Sequence, residues 1–131
     1  LSQVFEEILK EFEENAETPD LEEARLFHEM LGFVHTNFAQ PLSVKDIADS
    51  ARLNKNRCTA LFKTHTNMSP IKYVNEYRLY TAKNMILHTD RSISDISADV
   101  GYNQISHFIE QFRLSYGMSP LKYRHKFGQE A

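Results

Sequence analysis

The chain of 131 residues holds one cysteine, four glycines and four prolines. A single thiol, Cys58, excludes a disulfide within the chain and any zinc site that needs two or more thiolates. A lone free thiol also suits a reducing cytosol. Little Gly and Pro beside 41% apolar residues excludes a collagen-like or wholly disordered chain. No run approaches the roughly 18 consecutive apolar residues of a membrane span, and no secretory signal is visible. The expectation is a cytoplasmic protein without a membrane partner. The chain opens on Leu1 rather than Met, which points to a piece of a longer protein. An excess of basic charge is missing too: 15 Lys+Arg stand against 18 Asp+Glu, a net charge of -3. That average argues against a nucleic-acid partner, which usually requires a basic balance.

The average hides an uneven distribution. Residues 1–29 carry ten acids and only two bases, Lys10 and Arg25, a net of -8. The remaining residues carry 13 bases and eight acids, a net of +5, with five of the six histidines. An acidic head therefore precedes a basic body, and the body is the part suited to a polyanion.

In the head, Phe5, Ile8, Leu9 and Phe12 form one apolar helical stripe. Asn15–Pro19 breaks it, with Thr18 as cap and Pro19 opening a second helix to about Ala39, whose stripe is Ala24, Phe27, Leu31, Val34 and Phe38. Pro41 ends that helix. Beyond it the chain repeats itself. Ser43, Asp46, Ile47 and Asn54 recur as Ser92, Asp95, Ile96 and Asn103 at an offset of 49. Phe62, Met68, Ser69, Pro70, Lys72 and Tyr73 recur as Phe112, Met118, Ser119, Pro120, Lys122 and Tyr123 at an offset of 50. One inserted residue between Asn103 and Phe112 accounts for the change, and the pattern is an internal duplication.

Each copy has the same parts. Ser43 with Asp46, and Ser92 with Asp95, start a short helix in the manner of a capping box. A tight turn follows, with Arg52 in one copy and Gly101 in the other. Asn54 and Asn103 are expected to cap a second helix. Two short helices about a turn of three or four residues make a helix-turn-helix. The expected units span about 43–66 and 92–116. Ser69-Pro70 opens a long helix over about 70–88, and Ser119-Pro120 a short last one. At ~1.5 Å per residue the long helix spans roughly 27 Å, enough to hold two recognition helices near the ~34 Å of one DNA turn.

The strings LSVKDIADSARLNKNRCTALFKTHTNMSPIKYVNEYRLYTAKNMI and SISDISADVGYNQISHFIEQFRLSYGMSPLKYR resemble the DNA-binding domain of AraC/XylS-type bacterial transcription regulators. The most specific shared features are Phe62-Lys63 and Phe112-Arg113, each followed by Met-Ser-Pro, with Ile96-x-x-x-Val100-Gly101-Tyr102 in the second copy. The likeness covers about residues 26–126. It implies an all-α fold in which a long linker helix joins two helix-turn-helix subdomains, here with an extra N-terminal connector helix. Residues 1–20 would be an acidic connector from a missing upstream domain, and 21–131 the DNA-binding domain. It further implies double-stranded DNA as partner and contact with RNA polymerase. A small-molecule effector would act only through the missing domain, and the full-length protein would be a homodimer.

Helical periodicity sorts the recognition faces. Cys58, Leu61 and Phe62 form the core side of the first helix, with Cys58 a small packed hydrophobe. Asn56, Thr59 or Ala60, and Lys63 form a polar stripe fit for the major groove, and in the family pattern Asn56, Thr59 and Ala60 contact bases. Ala60 stands where a longer side chain is common, which leaves at most a methyl contact. Lys55 and Lys63 suit phosphates, and Arg57 lies at the edge. In the second helix Phe108 and Phe112 are core, while Ile105, Ser106, Ile109, Glu110 and Arg113 face outward. The isoleucines suit thymine methyls and Glu110 suits cytosine N4, but Glu110 also sets a negative charge beside phosphates. The second helix is therefore expected to bind more weakly than the first. Tyr73, Tyr77 and Tyr80 are expected in the core. No Ser/His/Asp, Cys/His or Gly-rich phosphate pattern supports an enzyme, and neither a cofactor nor a metal site is expected. The rival to DNA binding is a helical module that contacts polymerase or a dimer partner.

Overall fold

The computed structural model describes residues 5–7, 10 and 21–128. Ile8, Leu9 and Phe12 of the amino-terminal stripe, and the expected break and cap at 15–19, lie outside the described residues. Residues 5–7 and 10 are helical, and from Leu21 onward the described residues form seven helices: α1 (Leu21–Asn37), α2 (Val44–Ser50), α3 (Lys55–Thr66), α4 (Pro70–His88), α5 (Ile93–Asp99), α6 (Ile105–Tyr116) and α7 (Pro120–Phe127). Among the described residues there is no strand, and no helix is long and apolar enough to cross a membrane.

Local chemistry sets the helix starts. The Ser43 hydroxyl accepts from the Asp46 N–H at 3.1 Å, and the Ser43 N–H donates back to the Asp46 carboxylate at 3.0 Å. The Ser43 N–H, aided by its side chain, holds the Asp46 pKa below its ordinary value. Ser92 accepts from Asp95 at 3.0 Å, and Asn54 from the Arg57 N–H at 2.8 Å. Ser69 and Ser119 cap α4 and α7 with a proline at the first turn, where its missing N–H costs no hydrogen bond. The duplication extends to the backbone. Arg52 and Gly101 take positive φ (59° and 100°) in the two turns, and Asn67 (60°) and Gly117 (82°) do so after the recognition helices.

The structure corrects one cap. The Leu53 N–H bonds to the Ala48 carbonyl and the Tyr102 N–H to that of Ser97, still at an offset of 49, but the N-caps of α3 and α6 are Asn54 and Gln104, at an offset of 50. The inserted residue is thus Asn103 itself, an extra member of the turn rather than a cap. Gln104 makes no side-chain cap bond. Its side chain is one methylene longer than that of the residue types that cap well.

Two cores form, and α4 is a wall of both. Tyr73 and Val74 join Phe27, Met30, Val34, Ile47, Cys58, Leu61 and Phe62 in the first; Leu79, Ala82 and Ile86 join Ile96, Val100, Phe108 and Phe112 in the second. The expected core residues of both recognition helices are thus buried. Desolvation pushes the Cys58 thiol up to about 11, which makes it a poor nucleophile near neutral pH. Tyr77 and Tyr80 pack half-buried against the first core. Part of the acidic head also lands here. Phe5 is 1% exposed, with its ring 5.2 Å from Tyr73 and 5.9 Å from Tyr80, and Glu6 pairs with Lys83 of α4 at 2.8 Å.

Two arginines tie helix ends together. Arg78 of α4 donates to the Phe38 carbonyl at 2.7 Å and the Gln40 carbonyl at 2.9 Å, just past the end of α1. Arg124 of α7 donates to Ile86 at 2.9 Å and Thr89 at 3.3 Å, at the end of α4. Each supplies a donor to carbonyls in the last turn of a helix or just beyond it, where intrahelical partners run out.

Two stability predictions follow from these observations. Arg52 is exposed and left-handed, so Arg52→Gly should stabilise by about 0.5–1 kcal/mol, read as a higher urea midpoint; a lower midpoint would contradict this. His35 stacks on Tyr77 at 4.1 Å and lies 2.8 Å from the Tyr73 hydroxyl, and burial, aided by His28, lowers its pKa from 6.5 to about 4. The unfolded chain therefore binds the extra proton between those two values, and stability present above pH 6.5 is lost as pH falls toward 4. Thermal melts should show a smaller acid-side loss in His35→Gln than in the parent; equal losses would contradict it.

Candidate nucleic-acid interface

The recognition faces are built by burying one side of each helix. Cys58, Leu61 and Phe62 anchor α3, which leaves Lys55, Asn56, Arg57, Ala60 and Lys63 exposed and Thr59 half-buried at the margin. These six residues share the outer surface of α3, as the periodicity requires. The α3 sequence contains no acid, so Lys55, Arg57 and Lys63 present positive charge unopposed from within the helix. His65, at the far end of α3, turns inward: it stacks on Phe27 at 4.7 Å and lies 3.3 Å from Glu23. It ties α3 to α1 instead of joining the outer stripe.

Helix α6 differs. Phe108 and Phe112 are fully buried, and Ile105, Ser106, Glu110 and Arg113 are exposed. Ile109 departs from expectation: it is half-buried and packs against the second core. It lies at the border of the apolar stripe, next to Phe108, and burying its side chain is favourable. Glu110 accepts from Arg113 at 2.8 and 3.4 Å. The one guanidinium on this face is thereby partly neutralised one turn away. The electrostatic contrast between the two helices is a property of their own side chains.

An open cleft runs between α4, the loop that follows α1 and the start of α6. It is lined by Asn75 and Arg78 of α4, by Ala39 and Pro41, and by Gly101, Tyr102, Asn103, Gln104 and His107. No carboxylate lines it. Burial pushes the Tyr102 hydroxyl up to about 12, with Arg78 opposing the shift, so it stays a neutral donor. Sequence reasoning missed Asn75, Arg78 and Gln104 as lining residues. The only available signal was the inserted residue in the second turn, which moves Gln104 to the start of α6.

A family model described as a helix-turn-helix domain matches residues 47–126. The lactose operon transcription activator of Staphylococcus xylosus is 35% identical over 95 residues, 72% of this chain and 34% of that protein. The chain spans about a third of the length of the curated relatives it matches. A transcriptional regulator with an AraC-type DNA-binding domain from Chromobacterium violaceum superposes with a TM-score of 0.76 at 27% identity, covering 82% of this chain and 96% of that one. The DNA-binding domain of the global transcriptional factor AdpA, solved with a target DNA, has a TM-score of 0.71 at 19% identity over 76% of this chain and 90% of that one. At that identity the second likeness speaks for the fold alone.

The contrast between α3 and α6 yields a prediction. Asn56→Ala should weaken binding to a selected duplex about tenfold, the worth of roughly one good base contact, with the loss confined to one half of the site. Glu110→Ala should leave affinity unchanged or tighten it, because it frees Arg113. Titration of duplexes altered in either half checks both; equal losses for the two variants would remove the asymmetry.

Proposed function

Because the chain belongs to the AraC-type family of helix-turn-helix transcription regulators, we infer that it binds double-stranded DNA sequence-specifically, with α3 and α6 in successive major grooves of one duplex. The observation that carries this reading is the duplicated helix-turn-helix on a shared α4, with an exposed, acid-free polar stripe on the first recognition helix. In this reading Asn56, Thr59 and Ala60 meet bases, while Lys55, Arg57 and Lys63 meet phosphates. In the second helix Ile105, Ser106, Glu110 and Arg113 face the groove and Ile109 supports them from the margin. The charge division fits: the basic body holds both helices, and the described part of the acidic head docks on α4. Residues 1–20 act as the connector from an upstream domain. That domain would bind a small effector and make the full protein a homodimer in the cytoplasm.

A second reading has its own support. Leu114, Leu121 and Phe127 are 60%, 56% and 50% exposed in the second subdomain. Large apolar side chains held open to solvent suit a protein contact, and RNA polymerase is the partner this reading names. Substitutions there would lower transcription and leave DNA binding intact, whereas Asn56→Ala would act on DNA binding itself.

Phosphate contacts release condensed counterions, so affinity for a selected promoter duplex should fall roughly a hundredfold or more between 50 and 200 mM salt. Random duplex should bind weakly throughout. A gel-shift titration at the two salt concentrations checks this; salt-insensitive binding, or no binding to any duplex, would contradict it.

A further inference from the structure

The second helix-turn-helix unit comes close to the chain just ahead of the first. Gly101, in the turn of the second unit, lies against the loop between α1 and α2. A Cβ placed on Gly101 would stand 2.9 Å from the Ala39 carbonyl oxygen, 3.1 Å from its carbon and 3.2 Å from the Ala39 Cα. All three atoms are backbone, so no side-chain rotation relieves the approach. Arg78 holds that loop as well, donating to the carbonyls that flank Ala39, those of Phe38 and Gln40. The Phe38 ring meets Tyr77 edge-on at 5.2 Å and also packs against the second core. The loop is thus held by α4 and the second core where it meets the turn at Gly101.

The internal duplication separates this role from that of the turn. At the matching position of the first unit Arg52 takes φ of 59° and is exposed. The first turn therefore carries a side chain, at the cost of a left-handed backbone. Gly101 differs in its wider φ of 100° and in the backbone pressed against it. Its glycine serves the contact between subdomains as well as the turn.

We propose that the Ala39–Gly101 contact, clamped by Arg78, is the gauge that fixes the offset between α3 and α6, and hence the base-pair spacing between the two half-sites the protein accepts. This rests on the two-groove reading above. One base pair is a step of ~3.4 Å with a turn of about 34°, since a helical turn takes 10–10.5 bp. A contact that holds the two subdomains in one orientation thus discriminates between neighbouring spacings. Gly101→Ala must push loop and turn apart and also strains the backbone at φ of 100°; Arg78→Met releases the loop without adding a steric clash. Gly101 and Arg78 are positioning residues in this account, since neither lies on a recognition stripe.

The test uses a duplex selected from a random pool by the parent protein, variants with one base pair added or removed between its half-sites, and duplexes with either half-site scrambled. The parent should prefer its selected spacing by about tenfold. Arg78→Met and Gly101→Ala should weaken binding to the selected spacing about tenfold and flatten or shift the spacing preference. Their binding to single half-sites should stay within about twofold of the parent. A thermal melt reports whether each variant is folded, and Arg78→Met decides if Gly101→Ala is not. Equal losses on single and paired half-sites would overturn the proposal, as a direct phosphate contact by Arg78 would produce. So would an unchanged spacing preference. A parent protein that selects no duplex would overturn the DNA reading and this proposal with it.

Discussion

Helix α4 must satisfy two cores at once. Its amino-terminal half closes the first core with Tyr73 and Val74, and its later turns close the second with Leu79, Ala82 and Ile86. Neither subdomain buries its apolar face without that helix, because a unit of two short helices has too little surface to enclose a core. This constraint explains why apolar residues occur on more than one face of α4. It also makes the distance between the recognition helices a property of one rigid element, trimmed by the contact at Gly101. The same helix receives Phe5 and Glu6 from the acidic head, so the described part of the head docks on the element both subdomains share.

The duplication is structural as well as textual, yet the two copies have diverged in their physics. The first recognition helix has a capping Asn54 and cations unopposed from within the helix; the second has no side-chain cap bond and sets Glu110 against Arg113. The divergence extends to the anchoring arginines. Arg78 and Arg124 do the same work at the ends of α1 and α4, from positions that the repeat does not align. A helix end with open carbonyls is a strong enough acceptor that two different positions supply the donor.

Much of this was legible in the sequence because local chemistry wrote it. The Ser-Asp and Ser-Pro caps and the helical stripes of α3 act over a few residues, and the helices start where those signals place them. The failures were non-local or marginal. Asn103 matched Asn54 by identity, but the turn's hydrogen bonds, invisible in the sequence, place the insertion at Asn103. Ile109 sits where the apolar and polar faces of α6 meet, and periodicity does not decide such a position. The Phe5 stripe announced an apolar face without naming its partner. Arg78 reaches carbonyls 38 and 40 residues away, a link with no sequence pattern. Gly101 was readable as a turn glycine, whereas its approach to Ala39 belongs to tertiary packing.

The net charge of -3 shows the same lesson in electrostatic form. Averaged over the chain it opposed a polyanion partner; divided between head and body it supports one. The central claim is that α3 and α6 engage one duplex together. Hydroxyl-radical footprinting of this chain on a selected duplex tests it most directly. The account predicts two protected segments about one helical turn apart on the same face of the DNA, stronger on the side bound by α3. A single protected segment, or protection without a helical-turn repeat, would contradict it.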